Sequence, residues 1–155
     1  MKKLTLIIPA KDEEESLPKV LNEIKDYECN VLVILEETDI KTINSIKNYD
    51  CKILHQSGRG FGNALIDGIN NVETDYTCIF NADGSFDPKY LKEMLKLCEE
   101  NRDFVFASRY KKGGGSDDDT LLTKVGNMIF TFIGRIFFST KISDILYTFL
   151  LSCLY

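Results

Sequence analysis

The chain has 155 residues, 44% of them hydrophobic and 28% charged, and its 19 Lys and Arg against 24 Asp and Glu give a net charge of −5. This is the composition of an ordinary soluble globular protein with enough chain for one sizeable core, so a single domain over 1–155 is the expectation. The acidic balance, with no basic block longer than Lys2-Lys3 or Lys111-Lys112, excludes a broad nucleic-acid footprint.

Met1 to Pro9 starts basic, but its apolar run is too short for a signal peptide and passes straight into acidic sequence, so it reads as a first strand. Leu4 to Pro9 is continuously apolar, as in a strand buried on both faces, and ends in Ala10-Lys11-Asp12-Glu13-Glu14-Glu15-Ser16. Leu17, Val20, Leu21 and Ile24 then recur at helical spacing. Asn30 to Leu35 is a second buried strand, followed by Glu36-Glu37-Thr38-Asp39 and a helix sharing Ile40, Ile43 and Ile46 on one face. Lys52 to His55 is a short third strand; Gly58-Arg59-Gly60-Phe61-Gly62-Asn63-Ala64 leads from it into a helix through Leu65 and Ile69. Tyr76 to Phe80 is the fourth strand, and Asp87-Pro88, as N-cap and first helical residue, opens a helix carrying Leu91, Met94, Leu95 and Cys98. Phe104 to Ser108 is a fifth strand. Strand and helix alternate with short connections, which predicts an α/β domain: a mostly parallel, twisted sheet with helices on both faces.

From Arg109 the character changes. Gly113 to Asp119 is polar and glycine-rich and reads as a mobile loop or lid. Thr120 to Phe138 repeats apolar residues at helical spacing with an unusually wide apolar face, and the tail to Tyr155 is expected to continue as helix. Neither stretch reaches the ~18 consecutive apolar residues of a membrane span. Packing on the sheet and lying in a membrane interface both remain open, packing being the commoner fate of an apolar helix.

Five cysteines (Cys29, Cys51, Cys78, Cys98, Cys153) form no C-x-x-C pair and read as buried free thiols of a reducing cytoplasm, not as disulfides or metal ligands. His55 has no Ser or Cys partner that would suggest a triad. Each acidic cluster follows a predicted strand. Carboxylates converging on one sheet rim beside a glycine-rich turn fit a metal-assisted nucleotide or diphosphate site. Helix capping accounts equally well for Asp39 and Asp87, though not for Asp83. Asn81 and Asp83, two apart, share one side of an extended chain, and oxygen ligands at that spacing suit a hard divalent cation. Asn-Ala-Asp-Gly-Ser is also an ordinary turn composition. Gly58-x-Gly60-x-Gly62 is neither a dinucleotide fingerprint nor a P-loop.

Ile8 to Glu14, Gly58 to Ala64 with Gly68, Asn81 to Ser85 with Pro88, and Ala107 to Tyr110 with Gly113-Gly114 come in one order and at characteristic spacings. In these the chain resembles family 2 glycosyltransferases from Leu4 to about Asp144, particularly the dolichyl-phosphate mannosyltransferase-like and polyprenyl-phosphate branch. The resemblance implies a single GT-A-like (Rossmann-like) domain that binds a uridine or guanosine diphosphate sugar. Pro9, Ala10, Asp12 and Glu14 match the first nucleotide-binding loop. Glu36 and Glu37 stand where the family has Asp-Asp, and Arg59 and Gly60 lie in its glycine-rich segment. Asn81, Ala82 and Asp83 occupy the D-x-D positions, which imply Mg²⁺ or Mn²⁺ held by Asp83 and Asn81 on the diphosphate. Arg109 falls in the segment near the sugar, with Ala107 replacing its leading Gly.

Asp144 matches the Asp of an Asp-x-Thr-x-Gly-Phe-Arg segment, but Ile145 to Leu150 depart from the rest of it. The resemblance thus implies a copy that is truncated or divergent at its C-terminus. The implied reaction is an inverting transfer to an acceptor. A polyprenyl phosphate is already anionic and needs no general base; for a hydroxyl acceptor Asp144 is the base nominated. Implied partners are the nucleotide-sugar and a lipid-phosphate acceptor, with peripheral contact to the inner face of a membrane through 120–155 and self-association through the same stretch. Two rival readings are a nucleotide-sugar-binding protein without turnover, and a sugar-phosphate nucleotidyltransferase, whose Gly-Gly-x-Gly-Thr-Arg-Leu stretch is absent.

Overall fold

The computed structural model describes residues 2–111, 115 and 120–154. The chain divides into two compact units, one made of Met1–Val105 with Leu150–Tyr155 and the other of Phe106–Phe149. The expected loop from Gly113 to Asp119 lies outside the described residues except for Gly115.

In the first unit β1 (Leu4–Pro9) is the axis, because its apolar side chains are covered on both faces. It pairs in parallel with β2 (Cys29–Leu35) on one side and β4 (Tyr76–Ile79) on the other, and β3 (Lys52–His55) extends the sheet beyond β2, also in parallel. With β6 (Leu150–Cys153) and β5 (Phe104–Phe106) the order is β3-β2-β1-β4-β6-β5. The five expected strands are present, and Tyr76–Ile79 is central, as its apolar run requires.

Helices cover both faces. α1 (Leu17–Ile24) buries the four residues its spacing singled out, Leu17, Val20, Leu21 and Ile24. α2 (Ile40–Ser45) is shorter than the pattern suggested: Ile46 is buried, but Ile40 is exposed and Thr42 is the helix's buried residue. The chain runs from β1 out to β3, then back across to β4 through α3 (Phe61–Asn70). Right-handed crossovers therefore put α3 on the face opposite α1 and α2. α3 packs Ala64, Leu65 and Gly68 on Ile7, Leu32 and Ile34. A Cβ at Gly68 would lie 2.6 Å from Ile7 Cγ2, so the helix can approach this closely only with glycine there. Asp87 caps the 3-10 turn Pro88–Tyr90 by accepting from Lys89 N at 3.0 Å, and α4 (Leu91–Glu99) buries Leu91, Met94 and Cys98.

Two expectations for the C-terminal third fail. The tail is not helical to its end: Leu150–Cys153 is a strand, antiparallel to β4 in the register Tyr76↔Cys153 to Ile79↔Leu150. In the second unit α5 (Leu121–Phe138) forms where expected, with Thr120 accepting from Thr123 N as its cap, but its apolar face is not packed. Asn127, Thr131 and Gly134 are its buried residues, while Leu122, Phe132 and Phe137 are 81%, 63% and 75% exposed.

Candidate active site

Along the sheet the order turns at β1, which sends the chain to β2 on one side and receives β4 on the other. In such a sheet a crevice opens beyond the carboxyl ends of the two strands flanking that reversal, here β1 and β4. The loops that carry the predicted site residues of the first unit all leave this same edge, after Pro9, Leu35, His55 and Ile79.

After β1, Ala10 is buried and its N–H donates to Ile34 O at 2.9 Å, continuing the β1–β2 ladder. Asp12 takes a left-handed conformation (φ 56°) and its N–H reaches Asp39 Oδ2 at 2.9 Å, while Glu13 N–H donates to Thr42 Oγ1 at 3.0 Å. Asp39 also caps α2 through Thr42 N at 3.2 Å, so one carboxylate clasps the loops after β1 and β2 together. Partial burial works against ionisation of Asp39, but the donations from Asp12 and Thr42 outweigh it and hold the carboxyl below its usual range. Lys11 pairs with Glu36 at 3.6 Å and Lys41 with Glu14 at 3.7 Å, solvent-facing contacts of small energetic weight. Between these loops lies an open cleft of about 810 Å³, lined by Asp12, Glu13, Glu14, Glu15 and Asp39 with Lys41 as its one basic residue. Its surface accepts hydrogen bonds far more than it donates them.

The loop after β3 is anchored from α3. Ser57 N–H and Oγ–H donate to Asp67 at 2.6 and 3.0 Å, Gly58 N–H donates to Asn63 Oδ1 at 2.7 Å, and Gln56 Nε2 reaches Gly58 O at 2.7 Å. This leaves Arg59 and Gly60 exposed at the entry to α3, with Gly60 at φ 89° as the N-cap. After β4, Phe80 and Phe86 stack edge-to-face at 5.8 Å and pin the ends of the acidic turn. Within it Ala82 is buried, Asp83 is exposed, Ser85 N–H donates to Asp83 Oδ1 at 2.9 Å, and Asn81 Nδ2 donates to Ser85 Oγ at 2.9 Å.

This donor set fits a divalent cation only of one kind. Asp83 supplies a carboxylate and Asn81 an amide oxygen, and among the described residues no three His, Cys, Asp or Glu side chains gather to cage a metal. Such a pair suits Mg²⁺ or Mn²⁺ whose remaining ligands are water and phosphate oxygens.

In the second unit Arg109 and Asp144 come together. Arg109 Nε and Nη2 donate to Asp144 Oδ2 and Oδ1 at 2.9 and 3.0 Å, and Arg109 N–H donates to Oδ2 at 3.2 Å. The Arg109 guanidinium also lies over the rings of Tyr110 and Tyr147, at 5.3 and 5.1 Å. Ser143 Oγ–H to Ser108 Oγ and Ala107 N–H to Phe149 O lace the two segments side by side. The nomination of Asp144 as a general base is therefore corrected. Its side chain has no solvent exposure and both its oxygens accept from Arg109, so no acceptor hydroxyl can reach it. Asp144 holds Arg109 in place.

Sequence reasoning missed three features here. Asp39 was legible as a cap, but its bond to Asp12 needs β1 and β2 side by side. Asn63 was read only as part of the glycine-rich stretch and Asp67 only as part of the helix after it, and Tyr147 carried no signal beyond its composition.

A sheet whose order reverses at β1, with acidic loops and an Asn-x-Asp turn leaving its carboxyl edge, is an α/β domain of the GT-A kind. The chain matches the model of glycosyl transferase family 2 over residues 5–152 and belongs to that family. It is 28% identical to a UDP-N-acetylglucosamine–dolichyl-phosphate N-acetylglucosaminyltransferase of Methanococcus voltae, in an alignment covering 85% of this chain and 62% of that protein. Among solved structures it resembles glucosyl-3-phosphoglycerate synthase from Mycobacterium tuberculosis in complex with Mn²⁺, UDP and glucosyl-3-phosphoglycerate. That match has a TM-score of 0.76 and 13% identity over 98% of this chain and 57% of the other. Mannosyl-3-phosphoglycerate synthase from Rubrobacter xylanophilus matches with a TM-score of 0.73 and 14% identity, over 97% and 53%. The chain thus spans less than two thirds of the length of these proteins.

Proposed function

We propose that this chain is the donor-binding domain of an inverting glycosyltransferase that moves a sugar from a nucleoside diphosphate sugar to a lipid phosphate. The observation that carries the reading is the convergence, on one sheet edge, of the clasped loops after β1 and β2, the anchored glycine loop after β3 and the Asn81-Ala82-Asp83 turn after β4. The acidic cleft matches the hydroxyls and N–H groups of a nucleoside, which donate hydrogen bonds. The same cleft repels a diphosphate, which belongs instead at Asp83 and Asn81 with Arg59. A bound Mg²⁺ or Mn²⁺ would supply neutralisation of the departing nucleoside diphosphate.

The acceptor follows from the chemistry of the bases. In the displacement an acceptor oxygen bonds to the anomeric carbon as the bond from that carbon to the diphosphate oxygen breaks. A hydroxyl acceptor must shed a proton, and the one carboxylate nominated to take it is buried against Arg109. A phosphate oxygen needs no base. The Methanococcus voltae protein is named for a dolichyl-phosphate acceptor, which supports the same choice. Arg109, held by Asp144 and flanked by Tyr110 and Tyr147, is the second unit's candidate for meeting phosphate or sugar.

The test is direct. Thermal denaturation is followed with UDP- and GDP-sugars, with and without Mn²⁺, and nucleoside diphosphate release is measured with and without a polyprenyl phosphate. The reading expects metal-dependent stabilisation by at least one donor and release only when lipid phosphate is present. Stabilisation without release under any acceptor would make the chain a nucleotide-sugar-binding protein without turnover.

A further inference from the structure

α5 is patterned inside out. Successive residues of an α-helix are about 100° apart, so Asn127, Thr131 and Gly134 form one narrow stripe, and these three are its buried residues. Asn127 Oδ1 accepts the Leu146 N–H at 3.2 Å and Thr131 Oγ1 accepts the Ile145 N–H at 3.4 Å. A Cβ at Gly134 would come within 2.5 Å of Ile145 Cδ1. Before Phe138, which shares this azimuth at the helix end and is exposed, the inward face is small and polar, and it is satisfied by the backbone of 145–146. The rest of the helix is the reverse. From Met128 round to Phe130 an arc of about 200° holds no polar side chain. Every large apolar residue on it is exposed.

In water a helix turns its apolar face inward. Small and polar inside with apolar outside is the pattern of a helix whose outer solvent is hydrocarbon. The width of the arc selects the occupant. A single protein surface covers one side of a helix, whereas an arc wider than half its circumference is covered by a medium that flows around it. Lys124 and Arg135 lie about 20° apart beside Met128, on one rim of the arc. From there their stems can follow the apolar surface while their charges reach outward. Lys141 follows the helix.

We infer that α5 seats this chain in the surface of a lipid bilayer bearing anionic headgroups, with its apolar arc among the acyl chains and Lys124 and Arg135 at the phosphates. By length and composition the helix could cross a membrane. Lys124, Asn127 and Arg135 within it, and the 145–146 backbone bonded along its stripe, place it in the interface instead. Asp117 to Asp119 precede the helix, which makes apolar insertion the larger contribution and charge the smaller. The inference deepens the proposed function, since it brings the enzyme to the surface that holds a lipid acceptor. It does not require turnover.

The experiment is flotation of the full chain with phosphatidylcholine vesicles, with and without about 30% phosphatidylglycerol. The chain should float with both, more completely with the anionic vesicles. The double variant Phe132→Asp/Phe137→Asp changes two exposed side chains, and should keep its circular dichroism while binding at least about tenfold more weakly. Should it lose helical signal, Leu122→Asp alone, at the 81% exposed start of the helix, gives the same readout. Lys124→Glu/Arg135→Glu should abolish the preference for anionic vesicles. Ile66→Asp, at an exposed position on α3, should bind as the parent does. Three results would each overturn the inference: no flotation of the parent, flotation unchanged by the α5 aspartates, or a stable dimer in lipid-free buffer that those aspartates dissociate. Donor-dependent thermal shifts are read separately, so failure of vesicle binding and failure of the transferase reading are distinguishable.

Discussion

Asp83 and Asp144 are both carboxylates matched to family motifs, and their surroundings give them opposite work. Asp83 is exposed in a turn whose hydrogen bond from Ser85 an amide could also accept, so Asp83→Asn should fold normally. It should lose metal-dependent stabilisation by nucleotide-sugar in a thermal shift, because the proposed metal site loses the carboxylate of its Asn81/Asp83 pair. Asn81→Asp should strengthen divalent binding in the same assay. Asp144, by contrast, is sealed against Arg109, and Asp144→Asn would put a neutral amide in place of a fully buried carboxylate that accepts from a mostly buried guanidinium through both its oxygens. We expect a loss of about 3 kcal/mol in chemical denaturation, the low end for such a pair because Arg109 retains some access to water. Asp39 gives a pH signature. Its folded-state carboxyl is held below the ordinary value, so its contribution is present above the unfolded-state pKa and is lost as pH falls through the folded-state one. Asp39→Asn keeps an acceptor for the α2 cap but not the charge. Its melting temperature should lie below the parent's at pH 6 and converge with it below about pH 4.

At the scale of elements, what was legible in the sequence is what local periodicity encodes. β1 and β2 announce themselves as continuous apolar runs, α1 by its four buried positions, and the 3-10 turn before α4 by Asp87-Pro88. Gly68 illustrates a signal visible but mute: the motif contains it, yet only the packing of α3 on Ile7 and Ile34 shows why. Gly68→Ala should push α3 off the sheet and cost about 1–3 kcal/mol, measured by urea denaturation. One element was given the wrong type and one the wrong surroundings, since periodicity does not name an element's neighbours. Leu150–Cys153 is a short apolar run that periodicity cannot assign to strand or helix, and its identity comes from a partner, β4, more than seventy residues earlier. For α5 the pattern gave the helix correctly, but periodicity does not say what covers an apolar face, and here the large apolar side chains are exposed. The candidate site divides likewise: loop residues could be named from motifs, whereas the clasp by Asp39, the anchors Asn63 and Asp67, and the burial of Asp144 depend on contacts the sequence does not order.

The whole molecule is one sheet unit interrupted by a second unit. β5 and β6 are sheet neighbours, and the bonds Cys153 N–H to Asp103 O and Ala107 N–H to Phe149 O run along them in opposite chain directions, so the two strands are antiparallel. Antiparallel neighbours need only a two-residue turn between them, and here the stretch from 107 to 149 takes its place. The ends of that stretch are already hydrogen-bonded, at 3.0 Å from Ala107 N to Phe149 O. Replacing residues 108–148 by Asn-Gly should therefore close a β5–β6 hairpin without moving β4 or the loops that leave β1 to β4. We expect the shortened chain to melt cooperatively and to keep metal-dependent stabilisation by nucleotide-sugar, since Asp12, Asp39, Arg59, Asn81 and Asp83 all lie outside the excised segment. It should neither release nucleoside diphosphate in the presence of lipid phosphate nor float with vesicles, because Arg109, Asp144 and α5 go with the segment. The decisive comparison is with Leu151→Ala in the intact chain. That change opens a cavity at a fully buried β6 position and should cost about 2–5 kcal/mol while leaving vesicle binding by the folded fraction unchanged. A shortened chain that fails to fold, beside a Leu151→Ala chain that loses little stability, would mean that the strands are held by the second unit rather than by β4, and the division of labour proposed here would be wrong.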